Sequence, residues 1–363
     1  MGEPRKPTSA PITALNFEPL VGPVTRAEVK AFRKSPGNLG LRTTAALTEN
    51  NREALGVGVI LLTICILGTE YGLIYGLFFV SEGIGVILAL IAVLLLFALK
   101  WCWDTLHHEV FVTSPWGRWY RLTRFAATNG LTYSAQISPP RYPATIFLRG
   151  GDRAATDVVG FTKPTPVQMG NYHYSGEVEI GRVREWGFVR LQLDRRLPHM
   201  VLEAKIRRRL TGTRFPVSFS SHQTLSLEGD FDRYFTLYVP RDYERDALYV
   251  FTPDLMALLI DEAAPFDVEI IDDWMYIYSH RPFEMATTDA YARLDRIVET
   301  VGAKARRQSS RYWDDRVAPR DVNLVAQHGR RLRRLEDRLY VIGASVIVAG
   351  VVTILVTEAI LRR

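Results

Sequence analysis

The sequence predicts an α+β cytoplasmic domain, mainly antiparallel β with two or three helices, joined to an all-α membrane part of three helices. Three observations carry this. Residues 55–80, 83–99 and 339–361 are apolar runs whose only charges are Glu70 and Glu358, and each approaches the roughly 20 residues an α-helix needs to cross hydrocarbon. Between the second and third runs, short segments alternate apolar and polar residues, the period of a half-buried strand. Two segments there carry the 3.6-residue period of a helix instead.

Taken in order, the chain opens with a basic segment, 1–54, containing Pro4, Pro7, Pro11, Pro19, Pro23 and Pro36. Such a composition buries too little apolar surface to order itself. It is expected to be a mobile tail with at most one short helix, around Arg26 to Arg33. Residues 55–103 then form a transmembrane helical hairpin, because only "SEG" at 81–83 separates the first two apolar runs. No small-residue cleavage site follows the first run, so a cleaved signal peptide is not expected. The two cysteines, Cys65 and Cys102, fall in or beside the apolar runs, which excludes a disulfide framework.

Basic residues flanking a span are retained on the cytoplasmic side. Lys34, Arg42 and Arg52 precede the hairpin, Lys100, Arg118, Arg121 and Arg124 follow it, and the linking turn has none. Arg330, Arg331, Arg333, Arg334 and Arg338 stand just before the third run. The expected product is a multi-pass protein of the plasma or inner membrane. Its N-terminus and middle domain are cytoplasmic and its C-terminus extracytoplasmic; Arg362 and Arg363 at that end go mildly against the rule.

The middle domain covers 104–320, followed by a basic juxtamembrane helix, 321–338, and the third span, 339–361. Its expected strands are "ATIFLRG", "EVEIGRV", "WGFVRLQL", "HMVLEAKI", "FPVSFS", "YFTLYV", "ALYVF", "FDVEII" and "WMYIYS". "TPDLMALLIDEA" begins as a helix should, with Thr252 at the cap, Pro253 at the first position and Asp254 in the first turn. Tyr291, Leu294, Ile297, Val298 and Val301 mark a second helix over 288–307.

The run "FDRYFTLYVPRDYERDALYVFTPDLMALLID" followed by "FDVEIIDDWMYIYS" resembles the C-terminal part of an uncharacterised, actinobacterial-type bacterial membrane-protein family. The upstream "FAATNGLTY", "GNYHYSGEV" and "LPHMVLEAK" are similar to segments of the same kind. The resemblance implies two N-terminal transmembrane helices and a cytoplasmic domain carrying the F-x-x-Y-x-P strand and the T-P-D helix start. It transfers no catalytic residue, and the third membrane helix departs from its pattern.

Several constellations invite a chemical reading. Glu228, Asp230 and Asp232 share one parity of an expected strand, where they are weak metal candidates; a hard cation wants more converging oxygens than these supply, so a solvated strand face is the simpler account. His107 and His108 are adjacent and point about 100° apart, unlike the i, i+4 pair of a helical zinc site. Glu70 is an acid inside a membrane run, which is a functional hypothesis by default. It lies about 22 Å along its helix, close enough to the far face to be a boundary residue. Gly68, Gly72 and Gly76 repeat the four-residue spacing of close helix packing, against the second helix or between chains of a homo-oligomer.

Net charge is +6 and the isoelectric point near 9.3. Lys205, Arg207, Arg208 and Arg209, with Arg330, Arg331, Arg333 and Arg334, are expected to face anionic membrane lipids, since a tethered domain gains about 1 kcal/mol per basic residue near the headgroups. A second basic cluster, Lys304, Arg306, Arg307 and Arg311, follows the second helix. Nucleic acid is disfavoured. The chain contains no phosphate loop, dinucleotide fingerprint, H-E-x-x-H or G-x-S-x-G motif, and no cofactor or catalytic residue is assigned. The favoured function is a membrane-anchored scaffold, adaptor or regulatory subunit that binds a protein partner or the anionic lipid surface. The alternatives are a membrane-associated enzyme with an unrecognised acidic or metal site, or an oligomeric channel or permease component.

Overall fold

Alternating residues in the middle region build one seven-stranded antiparallel sheet. The computed structural model describes residues 15–35, 115–162, 165–175, 183–206, 215–319 and 322–334, with isolated helical positions at 41, 63, 68, 93 and 100. The apolar runs lie outside them except at positions 63, 68 and 93, and among the described residues no helix is long and apolar enough to cross a membrane. Glu70, Gly72, Gly76, His107, His108, Arg207, Arg208 and Arg209 also lie outside; at Gly68 a Cβ would meet nothing within 4 Å.

The chain divides into two units, one of residues Gly22–Arg124 and one of Met1–Val21 with Phe125–Arg363. In the first, helix α2 (Arg26–Lys34) is closed by a reciprocal capping box: Thr25 Oγ1 accepts from the Glu28 amide and the Glu28 carboxylate accepts from the Thr25 amide. Phe32 of this helix meets Tyr120 edge-on at 5.5 Å, and Arg121 donates to the Gly22 carbonyl at 2.7 Å. Both Tyr120 and Arg121 lie on α3 (Pro115–Thr128), which opens with proline at its first position.

In the larger unit, α1 (Glu18–Val21) leads in. Phe17 stacks on Phe125 at 5.6 Å and tilts against Tyr291 at 5.8 Å, and Leu20 is buried. The N-terminal segment is therefore packed over its described part, where its proline-rich composition suggested mobility; two apolar anchors suffice once a receiving surface exists.

The sheet order is β1 (Thr132–Ile137), β2 (Gly151–Phe161), β3 (Val167–Ser175), β4 (Val183–Ala204), β6 (Phe235–Tyr238), β5 (Thr224–Leu225), with β7 (Asp267–Ser279) pairing β4 along its length. Strand β4 organises everything. Its first half pairs with β3 and its second with β6, so "WGFVRLQL" and "HMVLEAKI" are one strand, and "FDVEII" with "WMYIYS" are likewise one. The register shifts between Gln192 and Leu197 and again before Met200, and Asp272 opposite has φ +54°. These bulges invert the in–out parity. Tyr172, Trp186, Phe188, Tyr276 and Tyr278 on one side of the shift thus share an aromatic core with Val201 and Ile271 on the other.

Helix α4 (Phe231–Tyr234) precedes β6, and α5 (Glu244–Val250) and α6 (Pro253–Ala263) follow it. After β7 come α7 (Thr288–Ile297), a π turn (Val298–Gly302) and α8 (Ala303–Ser309), which packs on β4. Both expected helices form, with Leu255 and Leu259 of α6 and Tyr291, Leu294, Ile297 and Val301 of the second buried. Thr252 occupies the cap position of α6 without a side-chain bond to that helix.

Several expected elements differ. "ATIFLRG" is not a strand but holds a 3-10 turn (Thr145–Leu148), in which Thr145, Ile146 and Phe147 are all buried. "ALYVF" lies largely in α5, where burial of Tyr243, Ala247 and Val250 follows helical spacing. "FPVSFS" is irregular, with one bridge from Phe219 to Arg334, and most of "EVEIGRV" lies outside the described residues. The basic juxtamembrane helix is absent over 322–334. That stretch is a strap with a single 3-10 turn (Gln327–Gly329), after which the Leu332 and Arg333 amides go to the His199 and Gln223 side chains instead of continuing a helix.

Candidate functional site

The three acids singled out in the sequence do not lie on a strand face. Gly229, with φ +72°, and Asp230 form a turn, and Asp232 sits in the first turn of α4. The Asp232 carboxylate accepts from the Ser226 hydroxyl and, at 3.3 Å, from the Leu227 amide, so it closes the loop locally. Asp230 pairs with Arg233 at 3.1 Å with both side chains largely in solvent, and Glu228 is exposed. Strand parity failed because α4 interrupts it. Among the described residues no group of three His, Cys, Asp or Glu side chains converges as a metal site.

Sequence reasoning missed the polar centre of the molecule. Glu269 on β7 is 0% exposed and His199 on β4 nearly so. One carboxylate oxygen accepts from Thr145 Oγ1 at 2.6 Å, the Thr145 amide at 3.0 Å and His199 Nε2 at 2.9 Å; the other accepts from Tyr278 Oη at 2.7 Å. On the far side of the imidazole, the Leu332 amide donates to Nδ1 at 2.9 Å. Since Nδ1 is an acceptor, the ring proton is on Nε2, aimed at Glu269. Burial pushes the Glu269 pKa up, but the hydrogen bonds from His199, Thr145 and Tyr278 outweigh it and hold the carboxyl below its ordinary value. Burial, reinforced by the Glu269 charge, raises that of Tyr278. The visible signal was a glutamate inside the apolar run "FDVEII" and a histidine inside "HMVLEA": buried polar residues in strands need partners.

This node contains a hydroxyl, an imidazole and a carboxylate, yet their order is wrong for nucleophilic catalysis. The Thr145 hydroxyl is bonded to the acid, not to the base that would have to activate it. Thr145, His199 and Glu269 are also sealed from solvent. Their chemistry is structural: they bind the 3-10 turn, the sheet and the strap together.

A second node repeats the pattern. Buried Asp314 accepts from Tyr243 Oη at 2.6 Å, the Ala326 amide at 2.9 Å and the Arg316 amide at 3.0 Å, and pairs with the Arg316 guanidinium at 3.1 Å. Arg316 lies 4.1 Å over the Tyr243 ring and also pairs with Asp246, which takes the Tyr312 hydroxyl at 2.8 Å. The result is a rigid support for two adjoining clefts of about 450 and 560 Å³ that share Arg311, Tyr312 and Trp313. Tyr249 and Trp313 on their walls are 41% and 48% exposed. Arg245 and Arg311 have no carboxylate partner among the described residues, while Asp315 is occupied by the Trp313 indole at 2.8 Å.

The remaining expected basic residues divide. Lys205 donates to the Asp232 carbonyl and Arg330 to the Val325 carbonyl at 2.7 Å, and Arg331 pairs with Asp272 at 3.1 Å. Arg333 is exposed at its side chain, and Arg334 forms the bridge to Phe219.

No family model matches the chain, and no curated protein matches it. Among solved structures, it is similar to the crystal structure of the mycobacterial trehalose monomycolate transport factor A, TtfA, at 15% identity and a TM-score of 0.34, over 52% of this chain and 91% of that one. That likeness is too distant to support a function. Fold and site together define the class: an antiparallel α+β domain with two buried, hydrogen-bonded carboxylate nodes and basic, aromatic clefts on its surface.

Proposed function

We propose that the chain is a membrane-anchored adaptor or scaffold whose middle domain docks an acidic protein partner on the face around Tyr249 and Trp313. The observation that carries this is the composition of that face. It presents exposed tryptophan and tyrosine beside arginines without ion-pair partners among the described residues, over a support locked by Asp314 and Arg316. Trp, Tyr and Arg are the residues that concentrate binding energy at protein interfaces, and rigid anchors lose little entropy on binding. An acidic partner follows from Arg245 and Arg311, which have no ion-pair partner among the described residues, in a cleft whose three arginines outnumber its two carboxylates, Asp246 and Asp315. The anchor rests on the apolar runs, and the cytoplasmic setting on the distribution of basic residues around them.

The test places a photo-crosslinking residue at Leu248, 53% exposed beside this face, in the full chain in its native membrane. A discrete adduct that disappears on combining Trp313→Ala with Arg311→Glu is expected. An adduct insensitive to that change, or none at all, would refute the docking face. Extraction of the protein by alkaline carbonate would refute the anchor independently.

A further inference from the structure

A third cleft, of about 470 Å³, is lined in part by the strap and differs in character. Arg241, Arg331 and Arg333 line it together with His222 and His328, against a single carboxylate, Asp242. Arg331 is already committed to Asp272. Arg241 and Arg333 are exposed and have no ion-pair partner among the described residues. Two unsatisfied guanidiniums with two imidazoles make a donor set for an oxyanion, and planar guanidinium forks match phosphate geometry.

The backbone beneath these side chains is fixed by the contacts that hold the strap. Buried Gln223 clamps residue 333 from both directions, accepting from its amide at 2.9 Å and donating to its carbonyl at 2.8 Å. Asp242, at φ +70°, turns the chain just after buried Pro240 and so presents Arg241 to the cleft. Gly329 lets the strap lie on Tyr243, where a Cβ would come 2.3 Å from the ring. The positions of Arg241 and Arg333 are thus preorganised before any ligand arrives.

Chain connectivity restricts where that ligand comes from. Arg333 precedes the apolar run at 339–361 by six residues, which span at most about 22 Å even fully extended. If that run enters the bilayer, the cleft cannot be far from the headgroup layer. We propose that the cleft binds the phosphate group of an anionic phospholipid headgroup, gripped chiefly by Arg241 and Arg333. The assignment rests on the membrane-anchor reading, but not on the protein-docking face.

Native mass spectrometry of the detergent-solubilised full chain, offered equal amounts of phosphatidylglycerol and phosphatidylcholine, tests this. Wild type should retain phosphatidylglycerol selectively, and combining Arg241→Glu with Arg333→Glu should lower that retention about thirtyfold, the loss of two headgroup contacts. Both side chains are exposed, so the fold should persist; Arg241→Gln with Arg333→Gln gives the same test without reversed charge. Equal retention of both lipids, or retention unchanged in both double variants, would overturn the proposal. Displacement of the lipid by millimolar inorganic phosphate would identify free phosphate as the ligand and overturn the headgroup assignment. If the anchor reading is wrong, alkaline carbonate releases the protein from the membrane, an outcome independent of these results.

Discussion

The buried node around Glu269 and the open cleft around Arg241 use similar chemistry to opposite ends. At Glu269, a carboxylate without exposure has a donor for each lone-pair direction that the fold can supply. At Arg241 and Arg333, guanidiniums are held by well-fixed backbone but left without acceptors among the described residues. The comparison separates structural from functional polarity. An ionisable group saturated in the interior holds elements together, whereas one positioned and left unsatisfied at the surface is available to a ligand.

The sharpest way to break this comparison is to remove the carboxylate. Glu269→Leu strands the His199 N–H, the Thr145 amide and hydroxyl and the Tyr278 hydroxyl, and should destabilise the domain by about 3–5 kcal/mol. Denaturant unfolding of the solubilised chain measures it; a loss under about 1 kcal/mol would mean the node is not structural.

Acid should expose the same group. The folded pKa of Glu269 is depressed, so its stabilisation is complete above the ordinary carboxylate pKa of about 4.5 and is lost as pH falls through the lower folded value. Unfolding midpoints followed below pH 5 should decline more steeply in wild type than in Glu269→Gln. Parallel curves would remove Glu269 from the acid response. Smaller in effect, Gly329→Ala drives a methyl into Tyr243 and should cost about 1–3 kcal/mol while loosening the strap, visible as faster amide exchange at Leu332.

The smallest effect belongs to the acids that first drew notice. Asp230→Asn breaks only an exposed pair with Arg233 and should change stability by less than about 0.5 kcal/mol, with no response to divalent cations in a thermal shift. A cation-dependent shift abolished by this change would restore the metal reading.

Strands β4, β6 and β7 were legible from their apolar alternation, and α6 and α7 because their buried residues recur at helical spacing, whereas β1, β2 and β3, rich in Gly, Ser, Thr, Asn and Asp, were not among the expected strands. What sequence periodicity could not show is where β4 changes partners. A bulge inverts parity, so residues of opposite parity reach one core, and His199 meets Glu269 only through that pairing. The strap was misread for a related reason. Its arginines suggested a basic helix, but the local sequence does not reveal that His199 and Gln223, more than a hundred residues earlier, take the amides of Leu332 and Arg333. Of the basic residues expected to meet lipid, Arg333 lines the cleft without an ion pair among the described residues, while Arg331 is held by Asp272; Arg241, which completes the site, carried no cluster around it in the sequence.

The most direct measurement pairs two readouts, the unfolding midpoint and the crosslinking yield from position 248, for Glu269→Gln and for Trp313→Ala with Arg311→Glu. The account predicts that the first lowers the midpoint and retains the adduct wherever the domain is still folded, whereas the second abolishes the adduct at an unchanged midpoint. Loss of the adduct in folded Glu269→Gln, with the surface variant still forming it, would place function in the buried node and contradict the account.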